Sequence, residues 1–299
     1  MRRLTRAVVL VVVLAALAGA TSACDYVTRK QQSQLLIDAA KRAEASGSAV
    51  GFLSLSFKVV KVTPEYAPFA ANVHLPATAA KLSFAGHDAW TDGLATGMVG
   101  SRVALPQSVF HGPLVYLHRP VTADEGDSQF GFRSWSKLDF STVGRRDKSK
   151  IGNPSIVNAI NPTYLVRLLA GTLSGSVREQ ASVGDGPPGT RHFQMNLDRD
   201  KAFRNLGDTD RQAIDKALFS DAISGAVYKD AEVWIDSHGL PLRLALHLKQ
   251  KLDADNVFTI TYVLDLGGFG AAVDIRRPAA DDTATVSSWS ALLNAAVIR

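Results

Sequence analysis

Two neighbouring stretches in the last third of the chain limit the fold most. Leu240–Lys249 reads LPLRLALHLK, with Leu242, Leu244, Leu246 and Leu248 on one side and Arg243, Ala245, His247 and Lys249 on the other. After a turn at Asp253–Asn256, Phe258, Ile260, Tyr262 and Leu264 alternate with Thr259, Thr261 and Asp265. A period of two sends successive side chains to opposite faces of a strand, so both stretches predict long strands with one greasy face. Ahead of them, Ala231–Ile235 (AEVWI) and the turn Asp236–Gly239 (DSHG) complete an antiparallel meander. A single sheet of this kind needs its apolar face covered.

The rest of the chain supplies more strands and a few helices. Phe52–Val62 alternates, with Leu53, Leu55, Phe57 and Val59 on one side. Shorter strand-like pieces fall at Lys81–Ala85, His87–Trp90, Ser101–Ala104 and Leu114–His118. Leu35, Leu36, Ala39, Ala40 and Ala43 share one helical face, ended by Gly47 and Gly51. Pro154–Leu173 carries a helical stripe of Tyr164, Leu165, Leu168 and Leu169, and Pro162 suits the first turn of a helix starting near Asn161. Thr209–Gln212 fits a capping box opening a short helix through about Ser220. Arg145–Lys150 is a basic loop, either a solvated connector or a contact for anionic head groups. Arg277–Ser287 reads as a polar linker. Ser288–Ile298 reads as a helix that packs back on the domain or lies on a membrane.

The N-terminus reads as an export signal. Arg2, Arg3 and Arg6 precede an apolar run, Ala7–Ala20, which is too short as a helix to cross a hydrocarbon core of about 30 Å. The one cysteine of the chain, Cys24, follows Thr21-Ser22-Ala23. This tetrapeptide resembles the lipobox of bacterial lipoproteins, with Thr21 where Leu or Val is usual. The resemblance implies an acylated Cys24 as the new N-terminus, anchored to the outer face of the cell membrane. Small residues at Thr21 and Ala23 also suit ordinary signal peptidase, which would release a soluble chain. The expected division is 1–23 signal peptide, 24–30 lipidated tether, 31–278 folded domain, and 279–299 linker and terminal helix.

Charge and motifs narrow the function classes. The 299 residues include 33 basic and 28 acidic ones, but removing Arg2, Arg3 and Arg6 brings the net charge from +5 to +2. A nucleic-acid partner is therefore not expected. One cysteine excludes an internal disulfide framework and a multi-cysteine zinc site. None of His74, His87, His111, His118, His192, His238 and His247 has zinc-ligand spacing, and His111 and His118 have no acidic partner near in sequence. Gly184–Gly189 matches G-x-G-x-x-G literally, but holds Pro187 and Pro188 and leads into a strand, so a turn is expected. Asp198 and Asp200 begin like a calcium loop that fails at Ala202 and Phe203. Gly171–Gly175 is not G-x-S-x-G, because Ser174 comes one position late. No cofactor and no enzymatic activity are expected.

From Gln31 to Pro278 the chain resembles the actinobacterial LppX/LprA/LprF/LprG lipoproteins, whose fold is similar to that of the LolA/LolB lipoprotein carriers. The matching features are the helical start, the strand Phe52–Val62, Leu114–Leu117 followed by Trp135–Phe140 (WSKLDF), and the helix Pro162–Leu173 before Met195-Asn196-Leu197. Ala231–Arg243 (AEVWIDSHGLPLR) and Val273–Pro278 (VDIRRP) match in the same order. The departures are Thr21, an extended Ser141–Pro154 region and the helix after Ser287. The resemblance implies an α+β fold: a curved antiparallel β-sheet, or half-barrel, with helices covering its concave face and enclosing a hydrophobic cavity. It also implies an acyl lipid or glycolipid as ligand and a membrane transporter as candidate partner. The residues expected to line the cavity or core are Leu53, Leu55, Phe57, Leu82, Phe84, Leu165, Leu169, Leu242, Leu244, Leu246, Phe258 and Ile260. The alternative is a lipoprotein sensor or regulator that binds a membrane protein and transports nothing.

Overall fold

The computed structural model describes residues 28–61, 63, 73–98, 101–105, 107–118, 133–142, 161–182, 184–207, 211, 227–251, 255, 257–288 and 291. The signal segment, Cys24, the Arg145–Lys150 loop, the capping-box helix and the terminal helix lie wholly or almost wholly outside these residues.

In chain order the strands are β1 (Ser48–Lys61), β2 (Val73–Ser83), β3 (Asp88–Thr91), β4 (Leu94–Met98), β5 (Ser101–Leu105), β6 (Ser108–His111) and β7 (Leu114–His118). They continue as β8 (Trp135–Asp139), β9 (Arg178–Glu179), β10 (Arg191–Asp198), β11 (Val227–Ile235), β12 (Pro241–Lys251), β13 (Val257–Gly267) and β14 (Thr283–Val286). Helix α1 covers 28–45. Helix α2 (Pro162–Arg167) runs into a 3₁₀ turn, Leu168–Gly171, and α3 is the single turn Arg199–Ala202.

Twelve strands form one sheet in the order β14-β8-β7-β6-β3-β2-β1-β13-β12-β11-β10-β9, while β4 and β5 make a separate hairpin. The sheet is curved and does not close on itself, giving an α+β half-barrel. Register shifts in the β1–β2, β1–β13, β10–β11 and β11–β12 ladders supply local bends, as bulges do.

The meander read from the sequence lies between β1 and β10 in this sheet: β11, β12 and β13 pair antiparallel in turn. Its first turn is fixed by Asp236, whose carboxylate accepts from the His238 and Leu240 backbone N–H groups at 2.9 and 2.8 Å. At α2, Asn161 is the N-cap, accepting from Thr163 N–H at 3.0 Å, and Pro162 takes the first helical position. The same Asn161 donates to His87 C=O at 2.6 Å, pinning α2 to the β2–β3 turn. Asp198, which opened the calcium-like stretch, caps α3 by accepting from Lys201 N–H at 2.9 Å. Residues 184–189 form turns, as expected.

Two expectations are corrected. Residues Thr283–Val286, read as linker, form β14 and pair with β8 in parallel, so the folded unit extends past Pro278. The polar, Pro- and Ala-containing composition hid a four-residue strand with only Ala284 and Val286 buried. His111, read as lacking an acidic partner, is bonded to Asp88, which lies directly opposite it in the β3–β6 ladder.

Asp282 starts the parallel pair. Its carboxylate accepts from Ser134 N–H at 2.7 Å and its carbonyl from Trp135 N–H at 3.1 Å. Asp282→Ala removes the charged acceptor and is expected to cost about 1.5–3 kcal/mol. Hydrogen exchange should show lost protection confined to β14 and β8.

Candidate functional site

The apolar face of the half-barrel is built from cross-strand rows. Leu53 lies opposite Leu264, Leu264 opposite Leu244, Leu244 opposite Val233, and Val233 opposite Phe193. One straight row therefore crosses β1, β13, β12, β11 and β10, and no member is more than 3 % exposed. A second row runs Leu55, Tyr262, Leu246, with Leu55 1 %, Tyr262 2 % and Leu246 1 % exposed. Directly opposed apolar side chains are the unit of sheet stabilisation, and rows this wide give one continuous greasy surface.

Helices close that surface. From α1, Leu36, Ala39, Ala40 and Ala43 are buried in the same cluster, and α2 with its 3₁₀ extension adds Tyr164, Leu165, Leu168 and Leu169. The stripe of alanines brings the α1 backbone close to the sheet. At its rim α1 is held by polar contacts instead. Arg42 Nη1 donates to His238 C=O at 2.6 Å, and Arg167 Nη1 donates to Glu44 Oε1 at 3.1 Å. Gln32 Nε2 donates to Glu179 Oε2 at 3.1 Å. Arg191 grips Glu179 through two parallel bonds of 2.7 and 2.8 Å. That guanidinium first, and Gln32 after it, hold the Glu179 carboxyl below the usual range. The interior is apolar enough to act on its own titratable group: burial, and then Tyr228, push the Tyr262 phenol well above its ordinary value.

Eight of the twelve expected lining residues meet in this one cluster: Leu53, Leu55, Leu82, Phe84, Leu165, Leu169, Leu244 and Leu246. Leu242 does not. It is half-buried and outside the cluster. The reason is a register shift, since Trp234 pairs with Arg243 but Ile235 pairs with Pro241, leaving Leu242 as the extra residue of a bulge. The side chains of Phe57, Phe258 and Ile260 lie outside the described residues; their backbones place Phe57 opposite Ile260 and Phe258 opposite Val59.

The opposite face carries a polar cluster that sequence reasoning missed. His192 Nε2 lies 2.7 Å from Glu232 Oε2, and His247 Nε2 lies 3.2 Å from Glu232 Oε1. Arg243 binds Asp265 through bonds of 2.5 and 3.1 Å. His192 stacks on Trp234 with ring centroids 4.2 Å apart and planes 9° from parallel. The outward alternation of Arg243 and His247 was visible in the sequence; what was missing was the β10–β11 register that sets His192 opposite Trp234.

Among the described residues, no group of three His, Cys, Asp or Glu side chains could hold a metal ion. No helix among them is long and apolar enough to cross a membrane.

No family model matches the chain, and no curated protein matches it. Among solved structures, it is similar to a LolA superfamily protein from Nitrosomonas europaea, at 7 % identity and a TM-score of 0.25, over 81 % of this chain and 96 % of that one. It is also similar to a DUF1329 family protein from Desulfovibrio piger, at 10 % identity and a TM-score of 0.24, over 79 % and 91 % of the two chains.

Proposed function

We propose that this protein binds the acyl chains of a lipid or glycolipid between the half-barrel and its helices, and carries or presents that lipid outside the cytoplasmic membrane. The observation that carries the reading is the five-strand apolar row Leu53–Leu264–Leu244–Val233–Phe193 under α1 and α2. A face of that width suits an acyl chain laid across the strands. The resemblance of the sequence to the LppX/LprA/LprF/LprG lipoproteins supports the same reading.

The physical demands on such a carrier are modest. An acyl chain leaving a bilayer for an apolar interior changes its hydrophobic free energy little, whereas exposure to water costs about 0.8 kcal/mol per CH₂. The protein must shield the chain and match the bilayer, and no bond needs to be made or broken. The proposed activity is therefore binding and transfer without catalysis. In this closed arrangement Leu36, Leu165, Leu169 and Leu264 are at most 1 % exposed, so entry requires α1 or α2 to move off the sheet. Acylation of Cys24, just ahead of α1, would hold the domain at the outer face of the membrane that supplies its ligand.

The test is organic extraction and mass spectrometry of the full chain carrying Cys24→Ser, expressed in an actinobacterium and purified without detergent. The expected result is one class of acyl lipid near one equivalent per protein, absent from a mock-purified control. A folded protein that brings down no lipid would overturn the reading and leave the regulator alternative.

A further inference from the structure

We propose that protonated His192 is a pH-operated latch that holds the loop between β9 and β10 against the outer face of the sheet. This does not rest on the lipid reading, because the latch lies on the face opposite the apolar rows.

The imidazole of His192 sits between two oxygens. Nε2 is 2.7 Å from Glu232 Oε2, and Nδ1 is 3.0 Å from the Ser182 carbonyl oxygen. A carbonyl and an ionised carboxylate only accept. A neutral imidazole has one N–H and can serve one of them; the other ring nitrogen would then face an oxygen with its lone pair. The imidazolium donates to both. The Trp234 stack points the same way, since a cation lying flat on an indole face is favoured by the ring quadrupole. His192 is 9 % exposed, so water is a poor substitute for either partner.

The loop is laid directly on this pair. Arg243 Nη1 donates to Asp185 C=O at 2.6 Å. Gly186 lies so close to Trp234 that a Cβ there would stand 2.0 Å from the indole ring, which is why glycine occupies the position. Thr190 Oγ1 donates to Pro187 C=O at 2.6 Å and closes the loop on itself.

The charges around His192 come from every neighbouring element. Glu232 on β11 is its counter-ion and also bonds His247 of β12. Arg243 of β12 is neutralised by Asp265 of β13 and approached by Asp185 of the loop. On its own strand Arg191 is paired with Glu179 of β9. Loss of the His192 proton leaves one N–H for two acceptors. The charged carboxylate of Glu232 is the stronger acceptor and keeps it, so the tie to Ser182 is lost. The loop is then held by Arg243 and by the Gln180 N–H on the His192 carbonyl. Because β9 carries the Glu179 that bonds Gln32 of α1, release of the loop loosens the edge nearest the covering helix.

Hydrogen exchange of the full chain between pH 5 and 8.5, corrected for intrinsic exchange, tests this. A peptide covering 182–190 should exchange about tenfold faster at pH 8.5 than at pH 5. The step should vanish in His192→Gln and persist in His247→Gln. A flat wild-type profile, or a step that survives in His192→Gln, overturns the proposal. Should His192→Gln fail to fold, the ring nitrogens of wild-type His192 decide by ¹⁵N NMR. Two protonated nitrogens at pH 5.5, one of which loses its proton with the exchange step, support the latch. One bare nitrogen at pH 5.5 overturns it.

Discussion

Leu264→Ala is expected to lower the stability of the protein by about 2–5 kcal/mol. Leu264 is 0 % exposed and lies inside the five-strand row, with Leu53 on one side and Leu244 on the other. Both neighbours are fixed by backbone ladders, so they cannot lean in to fill the space that the substitution leaves. The cost then includes a cavity term as well as the lost transfer free energy, which puts it toward the upper end of that range. The adjacent Val263 points to the other face and is half-buried, so Val263→Ala serves as the comparison and should cost well under half as much. Urea unfolding followed by circular dichroism measures both. The midpoint should fall for Leu264→Ala with the slope unchanged. Near-equal midpoints for the two variants would mean that the row is not the tightly packed centre of the fold.

The same row explains what could be read from the sequence and what could not. Periodicity assigned β12 and β13 because each carries a long run of alternating apolar residues, and long alternation has no helical reading; β11 was read from the short AEVWI stretch and the turn that follows it. It also placed Leu244 and Leu246 on the buried face. It failed at Leu242, two residues earlier in the same strand, because a bulge opposite Trp234 and Ile235 resets the register without leaving a mark in the hydrophobic pattern. It failed at β14 because a four-residue edge strand with a parallel partner needs only two buried side chains, Ala284 and Val286, and these are ordinary residues for a linker. The cluster of His192, Glu232 and His247 was out of reach for a different reason. Its members sit on three strands, and only the ladders β10–β11 and β11–β12 bring the side chains to one carboxylate. Local pattern reveals faces; contacts between faces depend on register, which is set by turns and bulges far from the residues concerned.

Tyr262 sets a second large effect, at alkaline pH. Tyr262 is 2 % exposed, stands between Leu55 and Leu246 in the ladders and belongs to the core cluster; burial is the main cause of its raised pKa, with Tyr228 adding to it. In the unfolded chain a tyrosine ionises near pH 10. Between that point and the raised value in the folded protein, the unfolded state has given up a proton that the folded state keeps. Stability from this group is therefore complete below about pH 10 and is lost as pH rises further, at roughly 1.4 kcal/mol per pH unit. Tyr262→Phe keeps the ring and removes the titration. Urea midpoints of the two proteins should run parallel from pH 7 to 9.5, then diverge, with wild type falling faster. Subtracting the two profiles cancels the lysines and the tyrosines other than Tyr228, which interacts electrostatically with Tyr262. Parallel profiles through pH 11.5 would mean that water or a hydroxide ion reaches the phenol without unfolding. The interior would then be too permeable to keep an acyl chain dry, so this pH profile also bears on the proposed cargo.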